Sequence, residues 1–506
     1  NAIITIDPDN QNIIRAVAGK SGRCYLRLYP EDALLTEDAT YKDVTLYKDI
    51  YIVVENGDDD AYTIYEPAEF IAIGNSDVAM TKNYILMNSI DLSGFSTNLF
   101  PLGDGTPFSG TIRTAFDSTK GTYSRFSISG LPVVKNAVSI DNNSYLGVFS
   151  QVISDSSLGA FSNIDFYFQN GSIDLSAVGS LGSSVYAGLL AGKIIGNLSN
   201  TFVGYTNYRF NSVNITNMPE TVQNFYFGAV AGELSGGAGS DVFAKISTNL
   251  VEISATTQLI VGGVFGRFAG TSFGQDTSLV CNVNITTTLS NIDAGRLMDK
   301  VSTVLAGNMA LEGIGGLVGI ADKATQNTYY DTSGQITGQT EVAGVIRSMQ
   351  VSGSISAPTT ANVGGLVGLN NITLGSEDSG ILYKNLASVR VLGGANVGGF
   401  VGANYGKINC GIAEMYDTVS STDANSLIWV KGMYRVGGFA GYNDASSLIT
   451  YSYAMSYVNR TMQTFGDEIA DETQFYGDII GVIQTGGFVG YTAGTIINSF
   501  AYDQIQ

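Results

Sequence analysis

Four stretches of the chain carry residue types and spacings that chemistry could use. Gly270-Thr271-Ser272-Phe273-Gly274 has the G-x-S-x-G spacing of the turn that exposes a nucleophilic serine in α/β-hydrolases. Such a serine needs a base, the sequence contains no histidine, and no hydrolase-like pattern surrounds it, so no nucleophile is expected there. Residues 236–243 match one copy of the calcium-binding β-roll nonapeptide. That motif holds each ion between consecutive copies, and a single copy lacks the second wall. Asp467, Glu468, Asp471 and Glu472 form the densest acidic group. A glycosidase places two carboxylates about 5 to 9 Å apart across a groove, but a solvated helix face accounts for this group more simply. Asp58, Asp59 and Asp60 could ligate calcium, yet after Asn56-Gly57 a solvated turn is expected.

The lack of histidine removes Ser-His-Asp and Cys-His catalysis, the HExxH zinc site and every histidine-ligated metal. Paired carboxylates and oxygen-ligated calcium survive that exclusion. The expectation is a protein that is not an enzyme, with no catalytic residue, no metal ligand and no cofactor. Forty-five acidic against 25 basic residues give a net charge of −20, which repels nucleic acid. No run approaches 18 uncharged apolar residues, so no helical membrane span is expected. Asn1 is not followed by a charged and then apolar leader: either the chain works in the cytosol or a leader has been removed. Cys24, Cys281 and Cys410 are odd in number and widely separated, which suits three buried thiols, with one pair as the alternative.

What would position any site is a six-residue phrase repeated nine times. Its cleanest copies are Val363-Gly364-Gly365-Leu366-Val367-Gly368, Val397-Gly398-Gly399-Phe400-Val401-Gly402 and Val436-Gly437-Gly438-Phe439-Ala440-Gly441. Residues 485–490, 314–319 and 261–266 follow the same pattern, and 187–192, 227–232 and 146–151 follow it loosely. The first glycines are Gly147, Gly188, Gly228, Gly262, Gly315, Gly364, Gly398, Gly437 and Gly486, spaced 41, 40, 34, 53, 49, 34, 39 and 49 residues apart. An apolar-glycine segment at irregular intervals is the mark of stacked repeats with loops of varying length. Glycine is abundant (62 residues) and proline scarce (8), while Val, Ile, Thr, Tyr and Phe favour strands.

The expected fold class is all-β: a parallel β-helix (β-solenoid) over residues 58–506, preceded by a small N-terminal β unit or cap over 1–57. Strands are expected at 44–47, 50–54, 62–64, 84–92, 108–112 and 126–131, and a short helix at 66–73 opened by Pro67. Helical insertions are expected within 291–311, where Leu297, Val301, Val304 and Leu305 recur at helical period, and at 467–473. The glycine pairs allow tight corners or close backbone approach where a Cβ would clash. Strict alternation puts Val397 and Phe400 on opposite faces, whereas a bulge at Gly398-Gly399 brings them together. The 28 tyrosines and 24 phenylalanines suggest sugar stacking, but internal ladders or caps are the default for a stacked β fold.

The order of a short helix, residues 84–93, Phe108-Ser109-Gly110-Thr111-Ile112, Ile128-Ser129-Gly130-Leu131 and then the repeated phrase resembles the GLUG-motif family of bacterial surface proteins. In that family the phrase is commonly followed by Asn or Gly, Ile, Asn, then Ser-Tyr-Ala. Residues 402–410 and 490–501 match this, and Tyr451-Ser452-Tyr453-Ala454 keeps its tail. The likeness covers roughly residues 62–506. It implies a secreted, extracellular β-helix at the bacterial cell surface, serving as an adhesin shaft, filament subunit or structural protein. Its partners would be a cell-surface or neighbouring-subunit protein, or a glycan. A substrate-positioning module of a secreted immunoglobulin-A-protease-like enzyme and a carbohydrate-active β-helix are the alternatives. The last repeat runs to Gln506 without a polar cap, so that end is expected to self-associate or to continue into further chain.

Overall fold

The computed structural model describes residues 4–6, 14–16, 22–28, 48–54, 61–117, 120–154, 159–251, 253–254, 256–274, 280–288, 294–306, 309–330, 336–378, 381–414, 429–455, 457–459, 483–501 and 504–505. The fold is all-β, dominated by parallel sheets, with two α-helices among the described residues: α1 (Pro67–Ala72) and α2 (Ala294–Leu305). Two compact units divide the chain: Asn1–Thr63 with Lys82–Ile85, and Ile64–Thr81 with Leu86–Gln506. In the first, Ile4–Ile6 pairs antiparallel with Ile14–Ala16, and Gly22–Leu28 with Lys48–Val54. The strand expected at 44–47 lies outside the described residues.

The second unit is built on the glycine phrase. Nine parallel strands lie in one sheet in chain order: Phe149–Ser154, Ala191–Gly196, Ala231–Ser235, Phe265–Ala269, Val318–Ala321, Val367–Asn370, Val401–Asn404, Ala440–Asn443 and Val489–Thr492. Each begins in the second half of a phrase. The first halves form a separate parallel column in which Gly188, Gly228, Gly262, Gly315, Gly364, Gly398, Gly437 and Gly486 pair in succession. A 53-residue spacing (Gly262 to Gly315) and a 34-residue one (Gly364 to Gly398) both advance the chain by one repeat.

Neither strict alternation nor a bulge describes the phrase: it is a corner. Asn385–Gly398 ends in one sheet and Val401–Asn404 starts the other, so Val397, Phe400 and Val401 are all buried. Each corner bonds to the next, with the Leu366, Phe400 and Phe439 amides donating to the carbonyls of Phe400, Phe439 and Phe488 at 2.8, 2.9 and 2.8 Å. The rings of Phe400, Phe439 and Phe488 stack at 4.7 and 4.8 Å, which is the spacing of hydrogen-bonded strands. Gly398 is required because a Cβ would lie 2.1 Å from the Val401 carbonyl oxygen. Gly402 is required because a Cβ would lie 2.4 Å from the Asn362 carbonyl carbon and 2.5 Å from the Val363 nitrogen, where the two sheets meet backbone to backbone.

A third column of short strands follows, from Phe161–Ser162 through Ser272–Gly274, Lys407–Asn409 and Leu448–Thr450 to Thr495–Ile497. The chain leaves it through left-handed residues at matching positions. Asn163, Asn200, Asp241, Ser348, Cys410, Tyr451 and Asn498 all have φ between 44° and 62°. Asn and Asp tolerate this region; Cys410 and Tyr451 occupy it at a cost that the stacking must offset.

α1 forms where the sequence placed it. The Glu69 carboxylate accepts from the Tyr65 and Glu66 amides at 2.7 and 3.0 Å, tying down its first turn. Buried Phe70 meets the Phe149 ring edge-on at 6.4 Å, so α1 covers the first strand of the nine-stranded sheet. The single strand expected at 84–92 is two, Asn83–Leu86 and Ile90–Asp91, because Asn88 turns the chain by donating from Nδ2 to the Tyr65 carbonyl at 3.0 Å. α2 lies within the expected 291–311, whereas 467–473 falls outside the described residues.

Candidate functional site

Three clusters concentrate the buried charge of the second unit. Five residues past the phrase glycine, consecutive repeats carry Lys193, Glu233 and Arg267, and the register sets each beside the next. Lys193 Nζ lies 2.9 Å from Glu233 Oε1, Arg267 Nη1 lies 3.3 Å from Oε2, and Arg267 Nη2 lies 2.6 Å from Asp322 Oδ2. Glu233 is only 2% exposed, so protein cations replace water on both its oxygens. Alongside, Tyr145, Tyr186 and Tyr226 stack at 5.4 and 4.5 Å. Burial first, then the charge of Glu233, pushes the Tyr186 hydroxyl well above the ordinary tyrosine value. Burial raises Tyr226 too, against the opposing charge of Arg267.

The second cluster surrounds Asp165, 4% exposed. Arg125 Nε and Nη2 donate to its Oδ1 at 2.8 and 2.6 Å, while the hydroxyls of Tyr208 and Tyr167 donate to Oδ2 at 2.7 and 3.3 Å. Arg125 Nη1 also donates to Asn200 Oδ1. Each carboxylate oxygen thus has two donors, which fills its lone pairs and leaves none for a base or a metal ligand. Tyr208 sits in a turn where both it and Asn207 are left-handed (φ 55° and 59°), a conformation that Asn tolerates and that costs about 1–3 kcal/mol at Tyr208. Its bond to Asp165 and its packing on Phe202, 4.9 Å between centroids, hold it there.

In the third cluster Glu312, fully buried, lies 3.4 Å from Lys300 Nζ of α2, and its Oε1 accepts from the Ala361 amide at 2.8 Å. Asp165, Glu233 and Glu312 are the buried carboxylates among the described residues, and each faces a cation rather than another carboxylate. The arrangement pins repeats together; it does not place an acid opposite a base.

Neutral polar groups do similar work. Asn370 Nδ2 donates to Asn404 Oδ1 at 2.8 Å, Asn404 Nδ2 to Asn443 Oδ1 at 2.9 Å, and Asn443 Nδ2 to Thr492 Oγ1 at 3.1 Å. All three asparagines are buried. The Asn370 Oδ1 accepts from the Ile372 amide, and the Oδ1 atoms of Asn404 and Asn443 each take a second, local donor, the Gly406 amide and the Ser447 hydroxyl.

The residues singled out from sequence do not converge. Ser272 is a half-buried member of a column strand, paired between Ala238 and Val345. Asp241 is one of the left-handed corners. Asp58–Asp60 and the acidic group at 467–472 lie outside the described residues. Among the described residues no three His, Cys, Asp or Glu side chains gather closely enough to hold a metal ion. Cys281 and Cys410 are buried free thiols; the side chain of Cys24 lies outside the described residues. No described helix is long and apolar enough to cross a membrane. Reasoning from sequence missed the ion-pair and asparagine ladders. Aligning the repeats on their glycines would have shown both, because Lys193, Glu233 and Arg267 share one position and Asn370, Asn404, Asn443 and Thr492 share the next.

No protein-family model matches the chain, and no curated protein is found to be similar to it.

Proposed function

We propose that the parallel columns of the second unit wind as a β-solenoid, and that this solenoid is a non-enzymatic shaft displayed at a bacterial cell surface, of the kind the GLUG-like motifs imply. One observation carries the reading: successive phrases pair glycine on glycine, whatever length of chain separates them. A chain built this way adds height with each repeat and can vary its loops freely, which suits reach and display.

The chemistry of the interior supports a structural role. The buried carboxylates are spent on ion pairs, and the rings of Tyr186, Tyr226, Phe400, Phe439 and Phe488 are stacked within their columns, which is what a structural interior needs. The phrase glycines answer to close backbone approach rather than to a ligand. Immunogold labelling of intact cells of the source organism with an antibody to this chain tests the placement. Labelling on the outer surface is expected; labelling only after the cells are opened would overturn it.

A further inference from the structure

In a stack of repeats each one touches only its neighbours, so by default the stack opens one repeat at a time. α2 departs from that rule. It is inserted between the strands Val280–Thr288 and Gly313–Gly315, yet it packs on repeats that come later in the chain. Val304, with Val301 beside it, joins Ala310, Ala361, Ala395 and Tyr434 in one apolar cluster. Ala361, Ala395 and Tyr434 hold the same position in three successive repeats, those of Gly364, Gly398 and Gly437.

Among the described residues, the Gly364 and Gly398 repeats place no separate covering segment directly before their phrases. Earlier repeats place a segment before the phrase that buries Leu175, or Met218 and Val222. By contrast, Gln350–Gly364 and Asn385–Gly398 run straight into their phrases, with alanine where the helix passes. Polar ties fix the helix at both ends of this span. Lys300 pairs with Glu312 next to Gly313; Asn362 Nδ2 donates to the Ala310 and Glu312 carbonyls at 2.9 and 2.8 Å; Arg435 Nη1 donates to the Val304 carbonyl at 3.4 Å. A helix of 12 residues is about 18 Å long, enough to cross three strand spacings of about 4.8 Å.

We propose that α2 is a strap that makes the four repeats of Gly315, Gly364, Gly398 and Gly437 open as one block. The inference rests on the parallel stacking and not on where the protein works. Hydrogen exchange followed by mass spectrometry on the full chain tests it, comparing the wild type with Val304→Asp, which puts a carboxylate into the apolar cluster under the helix. Exchange in Gln350–Gly364, Asn385–Gly398 and Tyr434–Gly437 is expected to accelerate together, by about tenfold or more, with Ala231–Ser235 unchanged. Acceleration confined to α2, or to Gly313–Gly315 alone, would overturn the proposal. Should Ala231–Ser235 also lose protection, the milder Val304→Ala decides by the same pattern: the three strands moving together supports the strap, and their moving separately refutes it.

Discussion

At the scale of single residues, the interior trades solvent for partners supplied by the next repeat. Lys193 and Arg267 reach the Glu233 carboxylate from the repeats on either side, and Arg125 with two tyrosine hydroxyls fills the lone pairs of Asp165. Groups with no such partner are held neutral. Burial pushes the Cys281 thiol up to about 12, so almost none of it is thiolate near pH 8. Iodoacetamide at that pH should leave Cys281 unmodified in the native protein and modify it only after denaturation, as read by peptide mass spectrometry. Native labelling at the rate of an exposed thiol would contradict its burial. Tyr186 and Tyr226 carry raised values, so the folded state holds them protonated while the unfolded state ionises at the ordinary value, about pH 10. Their contribution to stability is therefore full below that pH and is lost progressively as pH rises from there through the raised folded values. In an alkaline titration, part of the tyrosinate absorbance should appear only with loss of the β circular dichroism signal; complete ionisation while the fold persists would refute this.

At the scale of elements, the corner between sheets is the unit that repeats, and glycine is its condition. Gly402→Ala forces a Cβ into the backbone of the neighbouring column, at a cost of about 3 kcal/mol. Gly94→Ala meets nothing within 4 Å and should change stability by no more than about 0.5 kcal/mol. Denaturant melts of the two variants make the comparison, and equal effects would mean that the corners tolerate separation. The elements were unevenly legible beforehand. α1 announced itself through Pro67 and Glu69, and α2 through Val301 and Val304 at helical spacing. The glycine pairs pointed to tight corners or close backbone approach, and the phrase is such a corner. What stayed hidden was the face that Val397 and Phe400 take, because apolar residues on two successive strands of different sheets read like a run on one strand. The left-handed corners were partly hidden as well: Asn163, Asn200 and Asn498 are ordinary turn residues, but Cys410 and Tyr451 are not. Their conformation follows from the position they inherit in the column, a tertiary fact that local preference does not encode.

At the scale of the whole second unit, register survives insertion. The repeat could be read from glycines spaced 34 to 53 residues apart, and the parallel pairing of those glycines follows it closely. The candidate site was far less legible, since its charged and amide ladders are defined across repeats and are invisible in any one of them. The most direct test of one-repeat-per-phrase stacking is a matched pair of deletions. Removing residues 188–227 joins Ala187 to Gly228, and because Gly188 pairs with Gly228 the splice stays in register. Removing residues 228–267, the same 40 residues in length, joins Phe227 to Phe268 out of register, because the repeat there is 34 residues. Circular dichroism melts should show the first variant folded and cooperative with one repeat fewer, and the second unfolded or aggregated. If both variants fold equally well, or if the in-register deletion is the one that collapses, the glycine phrases do not stack as interchangeable layers.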